Sequence, residues 1–170
     1  IRAAINISAR LLTSADFTAR VESILLEVGV PTDRLIFEIT ESATIGQFDK
    51  ACCALRRFRD LGVGISMDDY GTGQSTLSYL KELPLTELKI DRSFVQHAHR
   101  DHADALLVSS TVELAHQLDL QVVAEGIEEA ACLDFLRKIG CDYAQGYFIA
   151  KPMSAEAFFD AARINEARAA

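Results

Sequence analysis

Two kinds of apolar periodicity alternate along the chain, and this alternation limits the fold more than any other feature. Runs with the two-residue period of β-strands cover residues 2–8, 35–40, 63–69, 86–91, 121–126 and 142–147. Between them, apolar residues recur at helical spacing, as in Phe48, Cys52, Leu55 and Phe58. A strand that returns roughly every 20 to 35 residues, with a helix in between, is typical of parallel βα units. We therefore expect an α/β fold with six such units, either a doubly wound sheet or a (β/α)8 barrel short of two units.

The two faces of each strand-like run differ, and this difference favours the TIM-like barrel. Phe37 and Ile39 show the large apolar face, which suits an outer ring of helices. The alternate face is small and becomes polar where the run ends, as Glu38 and Asp68 show. In parallel barrels the functional groups lie at these C-terminal strand ends.

Composition excludes some classes of protein and partner. The chain has 170 residues, 49% of them hydrophobic, which suits one domain with a real core. A net charge of −8 argues against a nucleic-acid polymer as a partner. No apolar run approaches the roughly 18 residues of a membrane span, and no leader precedes the first strand, so we expect a cytoplasmic protein whose four cysteines are reduced. The first residue is Ile1 rather than Met, and we expect a longer natural protein.

The polar residues at the strand ends form the candidate site. They are Asn6, Glu38, Asp68, Asp69, Lys89, Glu125 and Gln145. Hard oxygen ligands favour magnesium, manganese or calcium, and carboxylates crowded at one rim repel each other unless cations are present. We expect Asp69 to turn back toward the site because the strand ends at Asp68. Asp68 then bridges two cations a few ångströms apart, an arrangement that assists attack on a phosphodiester.

An ordered string of motifs also resembles one known family. The segments "NIS", "EITES", "DDYGTGQSTLSYL", "LKIDRSFV", "VAEGIE" and "QGYFIAKP" follow one another from Asn6 to Pro152. They are similar to the EAL-type cyclic di-GMP phosphodiesterases. The resemblance implies a (β/α)8-like barrel that hydrolyses cyclic di-GMP to linear pGpG, with two divalent cations, Mg or Mn, and acts as a homodimer.

The resemblance also assigns roles to single residues. One cation has Asn6, Glu38 and Asp68 as its expected ligands, and the other has Asp68, Asp69 and Glu125. Lys89 corresponds to the residue that orients or deprotonates the attacking water.

Further roles come from the same resemblance. Glu41 resembles the glutamate that anchors the glycine loop after Asp69, and Asp91 and Glu128 resemble supporting carboxylates. Gln145 corresponds to a residue of the substrate site, and Pro152 falls in the "KP" step near a guanine pocket.

The departures from the family pattern matter as much as the matches. The Glu-Ala-Leu signature is absent, and with it a metal-ligating glutamate, a phosphate-binding arginine and two βα units. We therefore expect residues 1–170 to form a single EAL domain that is truncated at its N-terminus, with a sensor or cyclase domain upstream. Gln74 replaces the usual tyrosine, and Tyr70 the usual phenylalanine, in the loop that couples dimerisation to metal binding.

Two other functions compete with hydrolysis. The domain could be a receptor that binds cyclic di-GMP without cutting it. It could also be an unrelated barrel enzyme that uses magnesium to stabilise an enolate, with Lys89 as the base.

Overall fold

A single parallel sheet organises the protein. The computed structural model describes residues 1–40, 48–71 and 77–161, and the sheet in them has its strands in sequence order. The strands are β1 (Ala3–Asn6), β2 (Leu35–Thr40), β3 (Gly64–Tyr70), β4 (Glu87–Ile90), β5 (Gln121–Ala124) and β6 (Tyr143–Ala144). Each neighbouring pair is parallel. All six strand-like runs are confirmed, most of them in shortened form.

Helices connect the strands. They are α1 (Ala9–Leu12), α2 (Ala15–Val28), α3 (Phe48–Asp60), α4 (Leu77–Glu82), α5 (Arg92–Val95), α6 (His102–Gln117) and α7 (Ala130–Lys138). A 3-10 turn covers Thr32–Arg34, and residues 155–161 are helical again. The longer helices follow the apolar stripes. The sequence did not indicate α1, α4 and α5, because four to six residues are too few to show a helical period.

Local signals in the sequence fix the ends of α2. The Ser14 side chain accepts a hydrogen bond from the Phe17 amide at 3.4 Å, which satisfies a free donor of the first turn. Gly29 ends the helix in the left-handed conformation, with φ of 66°. Serine before a helix and glycine after it are residue types that favour such helix ends.

The outward faces of the strands pack against the helices. Phe37 of β2 meets Phe58 of α3 edge to face, with the ring centroids 5.0 Å apart and the planes at 89°. Phe58, Leu55 and Ile39 are completely buried. Truncating a buried aromatic residue of this kind costs about 3–5 kcal/mol. The apolar faces therefore form the main core, which leaves the alternate face for the site.

The sheet curls into a half-barrel. Arg2, next to β1, reaches strands at the far end of the sheet: its Nη1 donates to Gln121 Oε1 at 3.3 Å, and its guanidinium lies 4.6 Å from the centre of the Tyr143 ring. A flat six-stranded sheet would keep these residues well apart, because neighbouring strands are about 4.8 Å from each other. Within residues 1–40, 48–71 and 77–161, no helix has the length and apolar character that crossing a membrane requires.

Candidate active site

Lys89 stands at the centre of the candidate site. Its Nζ lies 3.0 Å from Glu38 Oε1, 2.9 Å from Asp68 Oδ1 and 2.6 Å from Glu125 Oε1. The lysine is 5% exposed, so the ammonium is held largely out of water. Four different strands or strand ends thus contribute to one ion cluster, as the strand-end pattern in the sequence predicts.

Because side chains alternate along a strand, the polar side chains of neighbouring strands lie together on the concave side of the sheet. In β4, Leu88 and Ile90 face the core while Lys89 faces the concave side of the sheet. Glu38 in β2 has the same relation to its buried neighbours Phe37 and Ile39. The carboxyl ends of parallel strands lie at one edge, so the polar residues meet there.

The two adjacent aspartates reach the site by a route other than the expected one. The strand does not end at Asp68 but continues to Tyr70, and its register with β4 shifts between Met67 and Tyr70. At the shift, Asp69 has a left-handed φ of 57°, which Asp adopts more readily than most residues. A bulge of this kind re-aims a side chain, and it turns Asp69 to the same side as Asp68.

The cluster around Lys89 holds more acidic side chains than basic ones, and the pKa values of its members reflect this imbalance. Burial alone would lower the pKa of Lys89, but hydrogen bonds to Glu125, Asp68 and Glu38 outweigh burial and raise this pKa above its ordinary value. The ammonium is therefore charged at neutral pH. Burial raises the pKa of Glu125, and the nearby Asp68 and Glu38 add to that effect, although Lys89 opposes it. Three carboxylates share one ammonium, so pairing does not stabilise each of them fully.

The donor set fits divalent cations. One carboxylate oxygen from each of Asp68, Asp69 and Glu125 lies within 4.8 Å of the others. Burial, together with the charges of Asp68 and Asp91, raises the pKa of Asp69. Four carboxylates, with Glu38 included, face a single ammonium, and the excess negative charge is what hard cations with oxygen ligands compensate.

Two predicted residues lie beside this cluster. Asn6 is the register partner of Glu38 in the β1–β2 pair and is exposed on the concave side. Asp91 caps α5: its Oδ1 accepts from the Ser93 amide at 2.9 Å and from the Ser93 hydroxyl at 2.5 Å. The structure thus gives Asp91 a structural contact at the rim.

Two of the residues expected at the substrate line a cleft that borders the start of β1. Gln145 and Pro152 line the same cleft, about 660 Å³ in volume, between the β1 side and the segment after β6. Glu128 is exposed and accepts a hydrogen bond from Gln96 Nε2 at 3.2 Å. Glu41 and Gln74 lie outside the described residues.

One buried acidic residue near Lys89 is missing from the set of site residues that the sequence predicts. Glu87 is 5% exposed and lies on the same face of β4 as Lys89, two residues closer to the start of the strand. Burial raises the pKa of Glu87, against the opposing effects of the nearby Ser66 hydroxyl and of Arg2. The alternation of side chains along β4 already places Glu87 on this face, so the sequence pattern could have identified it as a residue of the site.

A curled parallel sheet with an acidic cluster at its C-terminal strand ends defines an α/β protein of the TIM-barrel type. The EAL domain model matches residues 1–152, and the chain belongs to the EAL domain family.

Similar proteins have related architecture. The chain is 42% identical to the bifunctional diguanylate cyclase/cyclic di-GMP phosphodiesterase MucR of Pseudomonas aeruginosa over 153 residues, which are 90% of this chain and 22% of that protein. The solved MucR phosphodiesterase in complex with c-di-GMP is 41% identical, with a TM-score of 0.85 over 92% of this chain and 64% of the solved one. The EAL domain of Mycobacterium smegmatis DcpA gives a TM-score of 0.88 at 37% identity over 93% of this chain and 71% of that one. The chain thus spans about a fifth of the curated relative and about two thirds of the solved chains.

Proposed function

We propose that the protein hydrolyses cyclic di-GMP to linear pGpG in a reaction that depends on two divalent cations, Mg or Mn. The observation that carries this proposal is the cluster of Glu38, Asp68 and Glu125 around Lys89 at the strand ends. The relative MucR is named a cyclic di-GMP phosphodiesterase, and its solved structure is a complex with c-di-GMP.

In this proposal the oxygen ligands divide between two cation positions. Asn6, Glu38 and Asp68 would hold one cation, and Asp68, Asp69 and Glu125 would hold the other. Bound cations would lower the pKa of a water molecule and neutralise charge on the phosphate.

The remaining residues act on the substrate and the water. Lys89 is a charged donor with its Nζ already among the ligands, so it orients the attacking water by hydrogen bonding. Asp91 fixes the start of α5 at the rim through Ser93. Gln145, Glu128 and Pro152 contact parts of the substrate that do not react, and Glu41 supports the loop that follows Asp69.

The test is turnover of cyclic di-GMP in manganese, followed by chromatography of pGpG. Asp68→Asn removes the charge of the carboxylate that both cation positions share, and we expect turnover to fall by on the order of 10²–10³-fold or more. The matched control is Asp134→Asn, which changes an exposed aspartate of α7 that pairs with Arg137 at 3.4 Å, and it should leave turnover unchanged.

Three results would count against hydrolysis. If Asp68→Asn turns over cyclic di-GMP about as fast as the wild type, Asp68 is not the shared cation ligand that the proposal requires. Tight binding of cyclic di-GMP by the wild type with no pGpG formed would indicate a receptor. Conversion of a sugar acid but not of cyclic di-GMP would indicate enolate chemistry.

A further inference from the structure

Two glycines hold the loop after β5 against its neighbours on both sides. The first is Gly126, directly after Glu125. A Cβ built on Gly126 would lie 2.3 Å from Cβ of Arg92 and 3.2 Å from its Cα, although ordinary contacts begin at 3.4 Å. Arg92 is the first residue of α5 and follows the cap Asp91. The close approach of the backbone after Glu125 to the start of α5 is therefore possible only because residue 126 has no side chain.

The second glycine is Gly146, on the other side of the same loop. A Cβ there would lie 2.2 Å from both the backbone N and the backbone O of Ile127. Both of these atoms are already bonded: Ile127 N donates to Gln145 O at 3.1 Å, and Phe148 N donates to Ile127 O at 2.9 Å. The conflict would be with backbone, which cannot rotate away as a flexible side chain can.

The loop between these two contacts has little freedom to move. The side chain of Ile127 is completely buried in the core, and the Glu125 amide donates to Ile90 O at 3.2 Å. A methyl group at position 126 reaches ordinary contact distance from Arg92 only if the two backbone segments move apart by about 1 Å. Misplacement of a catalytic group by that amount can lower the reaction rate about 10²-fold. The nearest functional atom to be displaced is Glu125 Oε1, which lies 2.6 Å from Lys89 Nζ.

We propose that Gly126 and Gly146 are positioning residues of the site, which keep Glu125 in contact with Lys89 by allowing the loops after β4, β5 and β6 to meet backbone to backbone. The importance of this contact for cation binding rests on the proposed function. The contact itself exists without any cation.

The principal variant is Gly126→Ala, and the chain provides a matched control. Gly140 has φ of 77°, close to the 72° of Gly126, but a Cβ there would meet nothing within 4 Å. Gly140→Ala therefore introduces the same backbone strain without the steric conflict. In metal-free crystal structures we expect Glu125 Oε1 to lie beyond hydrogen-bonding distance of Lys89 Nζ in Gly126→Ala and to stay in contact in Gly140→Ala.

Titration with manganese gives the second readout. We expect Gly126→Ala to lower the affinity at least tenfold relative to Gly140→Ala. In Gly126→Ala/Arg92→Gly the nearest conflicting atom is removed, and the affinity should return to within threefold of that of Arg92→Gly alone. Gly146→Ala has no left-handed φ, and we expect it to lower the affinity at least tenfold through the clash with Ile127 alone.

The outcomes separate this inference from the proposed function. If the wild type binds no manganese, the proposed function is wrong. The distance from Glu125 Oε1 to Lys89 Nζ in the metal-free crystal structures would still test the role of the glycines. The inference is overturned if both glycine variants keep the Glu125–Lys89 contact. It is also overturned if Gly126→Ala loses folding or affinity and Arg92→Gly restores neither, because the defect would then be a general loss of structure.

Discussion

At the scale of single residues, one lysine decides how the carboxylates of the site can coexist. Lys89 is nearly buried and contacts Glu38, Asp68 and Glu125. A buried charge that loses its partner is strongly destabilising, since the remaining charge is neither solvated nor paired. In the absence of metal, Lys89 is therefore a structural cation as well as a catalytic candidate.

Replacing this lysine tests that structural role. Lys89→Met should lower the free energy of unfolding by about 3–5 kcal/mol in the presence of a chelator. Manganese should restore more stability to this variant than it adds to the wild type, because it supplies the missing positive charge. Urea denaturation with and without manganese measures both effects. Lys138→Met, at an exposed position of α7, is the control. Equal stability of Lys89→Met and Lys138→Met in chelator would contradict the prediction.

At the scale of elements, the short helix α5 links β4 to the rim. Its cap, Asp91, follows Lys89 by two residues, and strand alternation alone would place both side chains on the same face. The helix begins at Arg92, so the carboxylate of Asp91 is used by the Ser93 amide and hydroxyl. The local backbone requirement of the helix end thus sets what the side chain contacts.

A pair of substitutions separates capping from charge at Asp91. Asp91→Ala removes the acceptor and should cost about 1 kcal/mol, while Asp91→Asn keeps an acceptor oxygen and should cost less. Thermal unfolding of both variants measures the difference. If the two variants lose the same stability, the cap is not what stabilises this segment.

The pH dependence of this cap has a definite sign. Burial opposes ionisation of Asp91, but hydrogen bonds from the Ser93 hydroxyl and amide outweigh it and lower the pKa below the ordinary 3.8. A lowered folded-state pKa stabilises the protein above the unfolded-state pKa, and this contribution is lost as pH falls through the folded-state value. The stability advantage of wild type over Asp91→Asn should be constant above about pH 5 and should shrink below pH 4. Urea denaturation across this range measures it, and an advantage that grows on acidification would contradict the assignment.

At the scale of the whole molecule, the described sheet has two ends. β1 and β6 each have one neighbouring strand among the described residues, and Ile5 on the outer face of β1 is 46% exposed. Strand edges with exposed apolar residues pair readily with other chains. A polypeptide of residues 1–170 expressed alone should therefore self-associate through the β1 end.

A charge on this strand should reduce the association. We expect residues 1–170, expressed alone, to form dimers or larger species as their concentration rises, and Ile5→Lys to raise the dissociation constant about tenfold, because lysine on an edge strand opposes pairing. Leu106→Lys removes a comparable exposed apolar residue from α6 and should have little effect. Sedimentation velocity over a range of concentrations measures this. A monomeric wild type, or equal effects of the two variants, would contradict the prediction.

Much of this architecture could be predicted because it depends on local periodicity. Strand alternation in β2 and β4 identified Glu38 and Lys89 as facing away from the core, and the apolar stripe of α3 identified its packing face. The sequence also showed that the polar strand ends would lie at one edge, since all the strands are parallel. Glu41 and Gln74 stay predictions, because they lie outside the described residues.

The amino-acid sequence by itself determined the six strands, the longer helices and the set of oxygen-bearing residues, because each depends on spacing over a few neighbouring positions. Only the tertiary structure decided how those residues meet. The bulge that turns Asp69 beside Asp68, the sharing of Lys89 among three carboxylates and the close approach of Gly126 and Gly146 to other loops all join segments far apart in the chain. Such contacts depend on the curl and register of the whole sheet, which no local pattern of residues specifies.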